Sequence, residues 1–325
     1  RGFLFHRGQR GDGALTETDQ TTDQTPVRKR VHLHIGLHFA GTTRIVEGLR
    51  QNSQGFAERD IRTPPARLYR RAMTELLERL DGLPPIEAEE IALLDEILQG
   101  NAAKAVIMAD ANWASPLAEA LHADRLYPDI GTRVAPIAEL FESSDLRLSL
   151  ALRNPAVFAQ NLQDSGKARG ATSSFLRSVQ PENLRWHDTV EALRNALPNV
   201  PLTLWCEEDT PLIWPRVMRQ IAGLPNDAKL RGSFAALRDL IQPEGLKRLQ
   251  VFLTKHPPET SAQYERTVLA FLDKYGKEDA LDEPCDLPGW DAGVIDMVTQ
   301  HYEEDIAKLS ARDDITFLLP ATIAG

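Results

Sequence analysis

The sequence has little cysteine and no surplus of positive charge. Its two cysteines, Cys206 and Cys285, cannot form a disulfide framework or a four-cysteine metal site. The simplest prediction is that the protein is located in a reducing compartment. The net charge of −10 disfavours a general nucleic-acid-binding surface, because a polyanion is repelled by an acidic protein. Any site for an anionic ligand must therefore be a small region of positive potential on an otherwise acidic protein.

Long apolar runs are also missing. No run approaches the ~20 residues that a membrane-spanning helix requires. Near the start, the apolar stretch at residues 3–5 is far too short for the core of a signal peptide. These absences predict a cytoplasmic protein without a membrane span. Nothing in the sequence indicates its oligomeric state.

The remaining composition provides ample apolar material for a core, and many α/β enzymes of 325 residues form a single compact unit. Residues 1–26 lack apolar periodicity and are predicted to be a disordered tail. Residues 27–325 are predicted to form one α/β domain, with a central, mostly parallel sheet flanked by helices. We expect a helical insertion at about residues 60–100 and a helical C-terminal region.

Residues 31–50 show the order strand, loop, helix. Apolar residues alternate from Val31 to Leu37, as in a strand, and return at helical spacing after Thr43. Between them, Gly36 and Gly41 bracket a tight loop. A glycine loop at a helix start presents backbone N–H groups and the positive end of the helix dipole. It therefore predicts a site for a phosphate group.

The loop lacks the lysine of a Walker A motif. Its two glycines and the following threonines have the spacing of that motif, but Thr42 stands where the motif places lysine. A clear magnesium-binding acid is missing as well. A nucleotide kinase is therefore a weaker hypothesis than the two functions described below.

Residues 34–43 read H-I-G-L-H-F-A-G-T-T. This run resembles the phosphosulfate-binding loop of P-loop sulfotransferases, whose bacterial members carry a run close to H-I-G-x-H-K-x-G-T-T. Phe39 occupies the position of the family's lysine, which belongs to its catalytic set. The resemblance implies the sulfotransferase form of the P-loop nucleoside triphosphate hydrolase architecture.

A second block carries the same resemblance. Residues 146–152 alternate as a strand does, and Arg153-Asn154-Pro155 follows. The family has R-[ND]-P here and a serine eight residues after the arginine, and these two residues hold the 3′-phosphate of its cofactor. Arg153 matches, and Asn161 occupies the serine position with a side chain that can still donate a hydrogen bond. An arginine suits a phosphate because its fixed fork of donors meets two oxygens, although it could instead pair with a carboxylate at the strand end.

The resemblance implies transfer of a sulfuryl group from 3′-phosphoadenosine 5′-phosphosulfate to a hydroxyl or amine, without a metal. The acceptor would be a small molecule or a carbohydrate that the sequence does not identify. The 3′-phosphate would contact Arg153 and Asn161, and the loop would hold the 5′-phosphosulfate. The loop residues concerned are Gly36, Leu37, His38, Phe39, Ala40, Gly41, Thr42, Thr43 and Arg44. The alternative is a nucleotide-binding protein of the same fold without turnover, because a phenylalanine cannot neutralise developing charge as lysine does.

Three side chains are candidates for a catalytic role. His38 lies in the loop, where it could accept a proton or supply the missing charge. Asp110 follows a predicted strand at residues 105–108, where ligands gather in parallel sheets, but it could equally be a helix cap. His187 lies on a predicted helix and could accept a proton near neutral pH, although a histidine beside Trp186 more often packs. We rank His187 below the other two.

Three consecutive acids, Glu207, Glu208 and Asp209, follow a predicted strand at residues 201–205. Acids at a strand end can bind a metal or neutralise a cationic acceptor. Because no other ligands cluster with them in sequence, we expect them to cap the helix that begins near Pro211.

Overall fold

A computed structural model of the chain describes residues 28–122, 124–166, 179–281 and 284–321. The predicted tail at residues 1–26 lies outside these ranges. The strands are β1 (Arg30–Ile35), β2 (Ile61–Arg62), β3 (Ala105–Asp110), β4 (Leu121–His122), β5 (Arg125–Leu126), β6 (Asp145–Leu152), β7 (Leu202–Cys206) and β8 (Ile315–Phe317). The α-helices are α1 (Thr42–Ala57), α2 (Ala66–Leu80), α3 (Glu87–Leu98), α4 (Ile130–Glu139), α5 (Pro155–Asp164), α6 (Trp186–Ala196), α7 (Thr210–Ala222), α8 (Pro243–Lys255), α9 (Ser261–Tyr275), α10 (Glu278–Leu281) and α11 (Ala292–Ser310).

The centre of the fold is a six-stranded sheet with the order β2-β3-β1-β6-β7-β8. All of its strand pairs are parallel, and the short β4–β5 hairpin is the antiparallel exception in the described part of the chain. The predicted α/β class with a mostly parallel sheet is therefore confirmed. No helix within the described ranges is both long and apolar enough to cross a membrane.

Strand β1 lies between β3 and β6 and is buried on both faces. Val31, Leu33 and Ile35 point to one side and His32 and His34 to the other, and all five are at most 2% exposed. Alternation of apolar and polar residues usually marks a strand with one solvated face. Here helices cover both faces of a parallel sheet, so the polar residues of the pattern are also in the core.

The two core histidines share one partner. His32 Nε2 lies 2.8 Å and His34 Nδ1 lies 3.1 Å from the hydroxyl of Ser149 on β6, which is itself fully buried. His34 also stacks on Trp205 of β7. Burial lowers the pKa of His32 to about 3 and that of His34 to about 4, because a charged imidazole would lose its hydration here. Both histidines are therefore neutral in the folded protein at neutral pH.

The segment predicted as a helical insertion contains α2 and α3, and also β2, which pairs with β3 at the edge of the sheet. Glu90 of α3 ties this segment to the loop before β6. Its buried carboxylate accepts hydrogen bonds from the backbone of Ser143 at 2.7 Å and from the hydroxyl of Ser144 at 2.5 Å. Farther along the chain, α8 and α9 pack around a small separate core of Leu237, Ile241, Leu249 and Val268.

Candidate functional site

The glycine loop lies at the carboxyl end of β1, in the middle of the sheet. From β1 the chain builds β2 and β3 on one side and β6, β7 and β8 on the other. In an open parallel sheet, the place where the strand order changes direction has a crevice beyond the carboxyl ends of the strands, and ligands bind there. The backbone N–H of Gly36 donates to the carbonyl of Asp110 at 2.9 Å, which fixes the loop against β3.

The loop has a compact backbone closed by its own hydrogen bonds. The hydroxyl of Thr42 and the N–H of Ala40 both donate to the carbonyl of Leu37, at 3.2 and 3.3 Å. Phe39 and Gly41 have φ angles of 61° and 72°, in the left-handed region. Glycine adopts this conformation at no cost, whereas a bulky residue such as Phe39 does so rarely. The turn is therefore set by the surrounding structure.

Helix α1 begins directly after this turn. In the described part of the chain, the amides of Thr42, Thr43 and Arg44 have no hydrogen-bond acceptor, and Gly41 supplies no side-chain cap. These donors carry the positive end of the helix dipole. The loop end of α1 is therefore electrostatically suited to an anion.

A cavity of about 630 Å³ opens against the loop. This is within the usual size of ligand pockets, about 300–1,000 Å³. Eight of the eleven residues predicted to bind a cofactor line it, and they are Leu37, His38, Phe39, Gly41, Thr42, Thr43, Arg44 and Arg153. The other three, Gly36, Ala40 and Asn161, are not part of the lining.

Arg153 reaches the loop from the end of β6, the neighbour of β1. Its Nη1 donates to the carbonyl oxygen of Phe39, 114 residues away in sequence. The indole N–H of Trp186 donates to the carbonyl of Arg153 at 2.6 Å and fixes its backbone. Asn161, two turns into α5, instead donates to the carbonyl of Val157 in its own helix at 2.8 Å. The structure therefore brings the arginine to the loop but not the asparagine.

Glu207 brings a negative charge onto the loop. A methyl group added at Gly41 would lie 2.5 Å from Oε2 of Glu207, so this carboxylate rests against the glycine. Its Oε1 accepts from Arg44 at 2.6 Å and its Oε2 accepts from the hydroxyl of Thr210 at 2.9 Å. The expectation that the three acids cap α7 is wrong for Glu207, and Asp209 at the cap position makes no side-chain cap bond.

Formal charges of the cavity lining balance. Its arginines are Arg44, Arg153 and Arg238, and its acids are Glu47, Glu207 and Asp239. Arg44 is paired with Glu207, and the formal charges of the other two arginines are offset by Glu47 and Asp239. The preference of the cavity for an anion therefore comes from the start of α1.

His38 is held in the cavity wall by Tyr127. The hydroxyl of Tyr127 lies 2.8 Å from the backbone nitrogen of His38 and 3.0 Å from its Nδ1, and the two rings stack. Burial lowers the pKa of His38, an effect opposed by a hydrogen bond to Asn112 and by the charge of Asp110. The imidazole is therefore neutral at neutral pH.

The other two candidate catalytic residues do not line the cavity. Asp110 is buried, accepts from the N–H of Asn112 at 2.9 Å and pairs with Arg70, whose pKa this bond raises. His187 lies on α6 with its Nδ1 3.6 Å from Asp188. Of the three predicted residues, the structure places only His38 in the cavity.

Tyr127 and Arg238 are site residues that sequence reasoning missed. Tyr127 follows the β4–β5 hairpin, whose strands of two residues are too short to show a periodicity. Arg238 follows a 3₁₀ segment, Ala235–Leu237, in the C-terminal region. No family model of known proteins matches the chain, and no curated protein matches it significantly.

Proposed function

We propose that the chain is a P-loop sulfotransferase that uses 3′-phosphoadenosine 5′-phosphosulfate as its sulfuryl donor. One observation supports this most strongly. A glycine loop at a helix start and Arg153, from distant parts of the sequence, line a single cavity at the carboxyl end of the central strand. The resemblance of residues 34–43 and 153–155 to the two family motifs is the reason for proposing this donor.

The residues present fit the donor. The free amides at the start of α1 would hold its 5′-phosphosulfate, and two arginines of the lining, Arg153 and Arg238, would contact its phosphates. The donor supplies an activated sulfuryl group that moves in line between two oxygens, so the protein contributes mainly positioning and charge neutralisation. The acceptor is a hydroxyl or amine of a small molecule or carbohydrate.

Phe39 supports an alternative, a nucleotide-binding protein of the same fold without turnover. Its ring packs edge-on against Phe158 at 5.9 Å and places no charge in the loop. Arg153 contacts the backbone of the same residue and brings a cation to this point. We favour the enzyme because of this contact.

The test is a single-turnover experiment with radiolabelled donor, the native chain and an extract that contains acceptors. We expect the label to move to an acceptor, and the transfer to stop in Arg153→Met. If adenosine 3′,5′-bisphosphate binds while the donor stays intact, the chain is a binding protein and the proposed activity is wrong.

Replacing Glu207 by glutamine is expected to tighten binding of adenosine 3′,5′-bisphosphate at least about tenfold. The carboxylate rests against Gly41, and a charge about 4 Å from an anion costs up to about 4 kcal/mol near a protein surface. Calorimetric titration at fixed ionic strength measures the change. Glu47→Gln is the matched control, since it removes the same charge from the lining without a neighbouring contact to Gly41. An equal effect of both variants, or weaker binding to Glu207→Gln, would contradict the placement of the ligand.

A further inference from the structure

The hydroxyl of Tyr127 is enclosed by the protein. Tyr127 is fully buried between the rings of His38, Phe158 and Trp186. Its oxygen accepts the backbone N–H of His38 at 2.8 Å and lies 3.0 Å from Nδ1 of the same residue. Among the described residues, both hydrogen-bond contacts of this oxygen are therefore with a single residue of the glycine loop.

The hydrogen of this hydroxyl needs an acceptor. Leaving a buried O–H without one costs about 1–3 kcal/mol. Among the described residues, His38 Nδ1 is the one acceptor within hydrogen-bond distance of the Tyr127 oxygen. If Nδ1 carried a proton, two N–H groups would donate to the hydroxyl and its own hydrogen would have no partner. Nδ1 must therefore accept.

The position of the ring proton follows. Burial lowers the pKa of His38, so the ring carries one proton at neutral pH. Because Nδ1 accepts from Tyr127, that proton is on Nε2. A neutral imidazole in this form has its N–H donor at Nε2 and no ring nitrogen left to accept a proton from a substrate. Because Tyr127 occupies Nδ1, the hydrogen bond between the ring and Asn112 is also at Nε2.

We propose that Tyr127 is a positioning residue that holds His38 in the Nε2–H form, and that His38 serves as a neutral donor to phosphate or sulfate oxygens bound on the loop. The second half of this proposal rests on the proposed function. It gives His38 a different role from the proton acceptor expected from the sequence. A preset N–H donor in a loop without lysine stabilises an anion that replaces Asn112 as its acceptor.

Nitrogen-15 spectra of the full chain with labelled histidine test the proposal directly, because protonated and unprotonated ring nitrogens resonate far apart. The signals of His38 are identified by their loss in His38→Gln. At neutral pH we expect a protonated Nε2 and an unprotonated, hydrogen-bonded Nδ1. A protonated Nδ1 in the native chain would overturn the proposal, and this result needs no variant to fold.

The role of Tyr127 is tested with Tyr127→Phe. We expect the Nδ1 signal to move toward that of a nitrogen without a hydrogen bond, and the affinity for adenosine 3′,5′-bisphosphate to fall about fivefold, the effect of about one neutral hydrogen bond. Tyr69→Phe is the matched control, because it also removes a buried hydroxyl, which bonds the carbonyl of Ala109 at 2.7 Å outside the cavity. An unchanged Nδ1 signal in Tyr127→Phe would refute the positioning role. If the native chain binds no bisphosphate, the proposed function fails while the tautomer result still stands.

Discussion

Replacing Phe39 by lysine is expected to raise the rate of sulfuryl transfer in a single turnover about a hundredfold. Removing one positioned donor from a reaction site typically costs about a hundredfold to a thousandfold, and Phe39 stands where the resembled family places such a donor. We expect the lower end of this range, because Arg153 already donates to the carbonyl of Phe39 and supplies part of the charge.

The matched control is Phe39→Met, which keeps an apolar side chain and adds no charge. Both variants lose the aromatic contact with Phe158, so they share the cost of repacking, and melting temperatures measured alongside the rates account for it. We expect the methionine variant to react no faster than the native chain. If the lysine variant is as slow as the methionine variant, a missing cation at this position does not limit the reaction.

Acidification to about pH 5 is expected to remove about 4 kcal/mol of stability through His32 and His34 together. In the unfolded chain both have an ordinary pKa of 6.5, whereas in the fold the values are about 3 and about 4. Between these limits the unfolded state binds protons that the folded state does not, so stability falls as the pH drops below 6.5. A pH of about 5 is about 1.5 pH units below the pKa of the unfolded state. Each histidine therefore lowers the free energy of unfolding by about 2 kcal/mol.

Urea unfolding at neutral pH and at about pH 5 measures this loss. We expect His34→Gln to show about half of the native loss, while His256→Gln, at an exposed position, keeps all of it. Asp209 acts in the opposite direction, because burial raises its pKa to about 6 and the folded state then binds a proton in acid. An equal loss in the native chain and in His34→Gln would show that His34 is not held neutral in the fold.

The sequence is sufficient to predict the order of strand, glycine loop and helix at residues 31–50, because each carries a strong local signal. Alternation, paired glycines and helical spacing all depend on near neighbours in sequence. The two-residue edge strand β2 and the β4–β5 hairpin carry too few residues for such a signal. Strand β2 also depends on pairing with β3, a distant segment that a single sequence does not reveal, whereas the two strands of the hairpin pair locally with each other.

The same limit applies to the site. Arg153 was predicted from a motif, and the pairing of β1 with β6 explains why it reaches the loop. Asn161 matches the motif by position alone, and an asparagine inside a helix readily bonds the carbonyl four residues before it, as it does here. The contact of Glu207 with Gly41 joins residues from two separate strand ends, and no sequence pattern indicated it.

Calorimetric titration of adenosine 3′,5′-bisphosphate into the native chain and into Arg153→Met is the most direct measurement of whether the loop and Arg153 hold one anionic nucleotide. We predict one bound molecule per native chain and at least about tenfold weaker binding in the variant, the effect of about one charged hydrogen bond. No binding to the native chain, or equal affinity in both proteins, would contradict this account.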